Sequence, residues 1–227
     1  MFQKQYYTLF ASLPPLPYFE RAVHLPINEV RLRDRMKMLE PEDVEIMQKT
    51  LTFVGWQMQP LERTDVDVAK IYDEMLKSAT SYPILKAMVS KVMDQRTILV
   101  ALRRRHLDMP VPLKGEAWGV GQWVDHIRRN WKHVDLQLGL EYPWIPKARE
   151  FIETDQALEL EKLIMKQNWK TADDYMAEHP FTFETILFYV SKWIAIKNWL
   201  TFSADAARER FDNYITEVID RYEQHSS

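Results

Sequence analysis

Two stretches decide the fold: Tyr82–Leu102 (YPILKAMVSKVMDQRTILVAL) and Phe183–Leu200 (FETILFYVSKWIAIKNWL). In the first, Leu85, Met88, Val89, Val92, Met93 and Leu99 form one apolar face of a long helix. In the second, Ile186, Leu187, Val190, Trp193, Ile194 and Leu200 do so in almost the same frame. Sliding one onto the other brings Val89-Ser90-Lys91 onto Val190-Ser191-Lys192, Tyr82 onto Phe183 and Leu99 onto Leu200. Upstream, Asp73 and Met75 meet Asp174 and Met176. Self-similarity at long spacing points to a scaffold of related helical units. Amphipathic helices also resemble each other by default.

Outward from these stretches the pattern stays helical. Asn28 is placed to cap a helix through Leu39, and Pro41 stands in the first turn of the next. That helix turns Val44, Met47, Leu51 and Val54 inward and carries Glu42, Asp43 and Glu45 at its positive end. Thr64 or Asp65 caps a third, with Val68, Tyr72, Met75 and Leu76 inward. Ser81 and Pro83 open the first long helix, which ends near His106 with Arg103, Arg104 and Arg105 complementing its dipole. Pro110, Pro112, Gly115, Gly119 and Gly121 then mark a joint. Further helices are expected over Gln122–His133, Lys147–Glu153, Asp155–Gln167 and Thr171–Glu178, with Pro143 and Pro146 breaking Tyr142–Ala148 and His179-Pro180 closing the last. Ser203 or Asp205 caps a terminal helix with Ala207, Phe211, Tyr214, Ile215, Val218 and Tyr222 inward. Tyr6–Ala11 reads as a short extended segment, stopped by Pro14, Pro15 and Pro17. The expectation is one all-α domain over 1–227, a pseudo-repeated helical bundle. Its repeat units are 41–108 and 147–227, joined by the Gly/Pro/Trp-rich segment 109–146.

Composition narrows the chemistry. With no cysteine among 227 residues, thiolate metal sites and cysteine nucleophiles are excluded. A net charge of −3 favours neither nucleic acid nor acidic surfaces. Five glycines against eight tryptophans, ten tyrosines and ten phenylalanines disfavour phosphate-cradling loops and favour helix packing or an interface. No stretch reaches the roughly 18–20 uncharged apolar residues of a membrane helix, and Lys4 and Gln5 precede only a short apolar run, so a cytoplasmic protein is expected.

His126 and His133, two turns apart with Asp125 and Asp135 nearby, are the one arrangement suggestive of a metal. Helical di-metal sites instead repeat a glutamate with a histidine three residues later. His24, His106, His179 and His225 lack metal spacing as well. There is no Gly-x-Ser-x-Gly elbow and no glycine-rich loop ending in Lys-Ser or Lys-Thr. The pairs Asp173–Asp174 and Glu159–Glu161 read as solvated helix faces. No catalytic residue, cofactor or metal is therefore expected. Arg103–Arg105 and Arg128–Arg129 are too small and too mixed with acids for nucleic acid. A basic helix end can grip an acidic partner or simply be a solvated last turn. Trp118, Trp123 and Trp131, followed by Tyr142 and Trp144, read either as core or as partner surface.

Phe183–Leu200 resembles a helix of the rotary ATPase subunit called C in archaeal and bacterial A/V-type enzymes and d in vacuolar ones. Lys197 and Asn198 follow Tyr189 as in that family, while Ala195, Trp199 and Leu200 replace its glutamate, leucine and arginine. The first long helix is similar to a companion motif, an aspartate followed by a threonine-leucine-leucine-arginine run: Asp94, Thr97, Ile98, Leu99, Leu102 and Arg103, without the usual asparagine. The run Tyr6–Pro14 (YYTLFASLP) resembles more closely an uncharacterised bacterial family encoded in V-type ATPase operons. The resemblance implies a non-catalytic central-stalk subunit of an ion-transporting V/A-type ATPase. Such a subunit is an all-helical funnel of more units than the two this chain has room for. It would be cytoplasmic, peripheral at the inner face of the membrane, with the central shaft subunits and the membrane proteolipid ring as partners. Arg103, Arg104, Arg105, Lys192 and Lys197 would face those partners. The competing expectations are a helical adaptor unrelated to ATPases and a helical metal-dependent enzyme around His126 and His133.

Overall fold

The computed structural model describes residues 5–55 and 63–202, and all regular structure among them is helical. In chain order the helices are α1 (Tyr7–Ala11), α2 (Glu29–Met36), α3 (Pro41–Val54), α4 (Asp65–Ser78), α5 (Pro83–His106), α6 (Val124–Arg129), α7 (Ile145–Glu153), α8 (Ala157–Glu178) and α9 over residues 183–202. A single 3₁₀ turn stands at Phe19–Arg21. The terminal helix expected beyond Ser203 lies outside the described residues. The chain forms two compact units, Met1–Met38 with Asp174–Ser227, and Leu39–Asp173.

In the unit built from both ends of the chain, the expected extended run at Tyr6–Ala11 is instead helix α1. Leu9 is its buried side chain, with Tyr6 buried just before the helix and Leu13 just after it, three and four residues away. One face of a helical turn meets the core, where a strand would bury alternate residues. Ser12 closes the turn by donating its hydroxyl to the Leu9 carbonyl at 2.7 Å. Asn28 caps α2 as expected, accepting from the Arg31 N–H at 2.9 Å, although α2 stops at Met36. Helix α9 opens at Thr182, whose hydroxyl accepts from the Thr185 N–H at 3.3 Å. Residues 183–190 are buried on every side.

In the second unit, Pro41 stands at the start of α3. The buried face of α3 is Asp43, Ile46, Met47, Thr50 and Phe53, with Val44, Leu51 and Val54 only half-buried. The rotation has a cause on each turn: Asp43 accepts from the Tyr82 hydroxyl at 2.8 Å, and Phe53 stacks on Tyr72 at 6.4 Å. Thr64 and Asp67 form a reciprocal capping box at the start of α4. Helix α5, 24 residues and so about 36 Å long, ends at a left-handed Asp108 with φ 52°. There the Met109 and Asp108 N–H groups reach back to the carbonyls of Arg104 and Arg105 at 2.9 and 3.0 Å, a Schellman closure.

The Gly/Pro/Trp-rich segment 109–146 packs into this unit's core. Trp118 meets Trp131 edge-to-face at 5.9 Å, and Ile127, Leu136 and Ile145 fill in beside Ile98 and Leu102 of α5. Helix α6 is shorter than the expected Gln122–His133: it ends at Arg129 with Asn130 as its C-cap, whose backbone N–H and side-chain amide both donate to the His126 carbonyl, at 3.0 and 2.9 Å. Helix α8 runs unbroken where two helices were expected. Trp169 is buried in the polar stretch between them and Ala172 just beyond it, so packing carries the helix through.

Candidate functional site

The motif residues Asp94 and Thr97 sit one turn apart on the buried half of α5, and both hold the loop at Gly119–Gln122. Thr97 donates its hydroxyl to the Val120 carbonyl at 2.7 Å and accepts from the Val120 N–H at 3.0 Å, replacing a pair of backbone bonds. Asp94, 1 % exposed, accepts from the Gln122 N–H at 3.0 Å and its side-chain amide at 3.2 Å. Burial holds the Asp94 carboxyl above the usual carboxylate range, and the two Gln122 bonds pull against that. The glycines make the approach possible. Gly121 has φ +98°, and a Cβ there would run into the Asp94 carboxylate. A Cβ on Gly119 would meet the Thr97 side chain. This is a mechanical clamp: polar groups on a helix substitute for the missing partners of a loop backbone.

The other motif stretch, α9, grips the opposite end of the sequence. Tyr189 donates to the Pro14 carbonyl at 2.7 Å, and Trp193 donates its indole N–H to the Ile27 carbonyl at 2.8 Å. Burial pushes the Tyr189 hydroxyl up to about 12, so it remains a donor at any physiological pH. Lys197 pairs with Glu29 at 2.7 Å and lies over the Trp193 ring. The N-terminal run is also held at Tyr6, whose N–H donates to the Phe181 carbonyl at 2.6 Å, and Phe181 packs edge-on against Phe10.

Sequence reasoning missed Glu184, 1 % exposed at the head of α9. Burial, with this carboxylate second, pushes the Tyr175 hydroxyl up to about 12. A lone charge in the otherwise uncharged run Phe183–Val190 was the available signal. The pairing of Asp94 with Gly121 was missed too; it becomes visible only when the loop is laid against the helix.

The five expected partner residues fall into different settings. Arg103 is exposed, whereas Arg104 pairs with Glu116 at 3.0 Å and Arg105 donates to the His133 carbonyl at 2.8 Å. Lys192 is half-buried and Lys197 is exposed. The structure does not bring His126 and His133 together on one ligand: the His126 ring bonds the Leu136 carbonyl at 3.1 Å and His133 pairs with Asp135 at 2.6 Å. No cluster of three or more potential metal ligands occurs among the described residues. None of the described helices is long and apolar enough to cross a membrane. Comparison with family models, with curated proteins and with solved structures finds no match to this chain.

Proposed function

We propose that this chain is a non-catalytic central-stalk subunit of a bacterial V/A-type ATPase, coupling the shaft to the membrane proteolipid ring. One observation carries the reading. The run with the closest resemblance, Tyr6–Pro14, and the loosely resembling Lys197-Asn198 helix lie far apart in sequence and are bonded directly, Tyr189 to Pro14. A third resembling piece, Asp94 with Thr97, clamps its own loop through buried hydrogen bonds. Torque transmission needs stiff helices and sealed joints rather than bond-making, and both features supply stiffness.

On this reading α5 and α9 are diverged copies of one unit. Arg103, Lys192 and Lys197 meet the shaft or ring, and Arg104 and Arg105 shape the surface around Arg103. The protein works on the cytoplasmic side, held at the membrane through the complex. The test is affinity purification of the tagged full chain from cells that express the ATPase, with the shaft and ring subunits expected among the retained proteins. Their absence, with the chain folded, removes the proposal; retention of partners unrelated to the ATPase would make it an adaptor. Stoichiometric iron, manganese or zinc in the purified protein would point instead to an enzyme.

A further inference from the structure

Beyond the C-terminal end of α5 the chain exposes four apolar side chains within seven residues: Leu107 at 69 %, Met109 at 41 %, Val111 at 39 % and Leu113 at 75 %. They are not on a slack loop. At one end the Schellman closure ties Asp108 and Met109 to α5. At the other, the Glu116 carboxylate accepts from the Leu113 N–H at 2.8 Å and from Arg104 at 3.0 Å. Between them Pro110 and Pro112 disfavour helical backbone at Met109 and Val111, and Pro112 is buried. An exposed apolar row fixed this way has lost its conformational freedom before any partner arrives, which is the condition for docking at low entropic cost.

We infer that this strip is a docking surface for an amphipathic helix of another protein whose apolar side is bordered by carboxylates. Three arguments select that occupant. First, the two prolines remove N–H donors from the segment, so a partner cannot add to it as a strand and must engage the side chains. Met109 and Val111, each preceding a proline, stand two residues apart, a spacing of about 6.6 Å in extended backbone, close to the 5–6 Å spacing of neighbouring side chains on a helix face. Second, Arg103 beside the strip, Lys114 at its end and Lys132 next to the Arg105-held His133 are exposed and in no ion pair among the described residues. Around the strip Arg103, Arg104, Arg105 and Lys114 stand against Asp108 and Glu116, so the balance is positive and favours a partner rich in Asp or Glu. Third, that same charge disfavours a second copy, because a two-fold contact lays like patch on like patch. The inference does not depend on the rotary-ATPase reading.

The test uses the full chain and a fluorescein-labelled synthetic peptide of about five helical turns, leucine on one face with glutamate flanks, read by anisotropy. A second peptide carries lysine flanks. The expected result is saturable binding of the glutamate peptide, at least ~10-fold tighter than the lysine peptide. Leu113→Asp, and separately Arg103→Glu with Lys114→Glu, should each weaken it ~10-fold or more. Both changes fall on exposed residues, and an unchanged thermal melt certifies each variant. Met109→Asp serves as a second probe of the apolar row if Leu113→Asp shifts the melt. Equal binding of the two peptides, no binding, or binding indifferent to the apolar variants overturns the proposal. Sedimentation of the wild type as a dimer that Leu113→Asp dissociates would instead assign the strip to a second copy. Leu113-dependent capture on phosphatidylglycerol vesicles without peptide binding would assign it to lipid. Either result overturns the inference as stated.

Discussion

Laid over one another by their shared Val-Ser-Lys, α5 and α9 place Leu85 over Ile186 and Val89 over Val190, and all four are buried. Beyond those turns the helices diverge. α5 is enveloped toward its C-terminal half, from Met93 to Leu102, whereas α9 is enveloped at its start, over residues 183–190. Asp94, sealed in the core, falls over the half-buried Ala195. The polar anchors diverge too. α5 bonds a loop 23–28 residues further along, while α9 bonds carbonyls 166–175 residues earlier. An apolar period therefore specifies that a helix has an inside. Which half is enclosed depends on where the neighbouring backbone needs donors and acceptors.

The strongest way to break this comparison is Trp193→Ala. Trp193 is buried and supplies the donor to the Ile27 carbonyl, so the change leaves both a cavity and an unpartnered acceptor. The expected loss is about 3–5 kcal/mol, measured by urea denaturation. Hydrogen exchange should show it first in α2 and α9, with α5 amides retaining protection. A loss below about 1 kcal/mol would mean that α9 does not close its unit through this side chain.

Gly121→Val is the matching attack on α5. It forces a β-branched residue to φ +98° and drives its Cβ into the Asp94 carboxylate. Left-handed strain and overpacking together predict about 2–4 kcal/mol, and the exchange pattern should invert, with the Gly119–Gln122 loop and α5 exposed first. If both substitutions melt both units to the same extent, the two closures are one cooperative structure.

Much of this was legible in the chain. Asn28, Pro41 and Thr64 announce helix starts through cap chemistry that acts within a few residues, and all three stand where expected. The end of α5 near His106 was equally local. Longer-range facts were hidden. The strand-like Tyr6–Ala11 is helical, with burial falling at Tyr6, Leu9 and Leu13 rather than at alternate residues, and α8 continues through a polar stretch where Trp169 is buried. Glycines 119 and 121 read as a joint; their actual use, close approach to Thr97 and Asp94, requires the helix that lies against them.

A smaller effect sharpens the Asp94 half of the comparison. Because burial raises this carboxyl, the folded chain holds its proton at a pH where the unfolded chain has released it. The sign follows: ionised Asp94 costs stability above its raised pKa, and the cost is relieved as pH falls toward the ordinary value of 3.8. Asp94→Asn cannot ionise and lacks this dependence. Moving from pH 7 to about pH 4.5 should therefore shift the wild-type melting temperature upward relative to Asp94→Asn. A difference that is flat or reversed across that window would show that the Gln122 bonds, rather than burial, govern the carboxylate.

The smallest expected effect on the fold carries the most functional weight. Lys197 and Glu29 form an exposed pair, the bond to Lys197 is the main cause holding the Glu29 carboxyl below its ordinary value, and solvent screens such pairs strongly. Lys197→Glu should leave the melting temperature within a degree or two of wild type, because Tyr189–Pro14 and Trp193–Ile27 still close the unit. If α9 also serves as a partner surface, the same reversal should abolish retention of shaft or ring subunits in the affinity purification. Loss of stability without loss of partners would make Lys197 a structural residue and move the interface away from α9. Loss of partners at unchanged stability would separate the two roles of the helix, its buried head holding the chain's other end and its exposed tail facing outward.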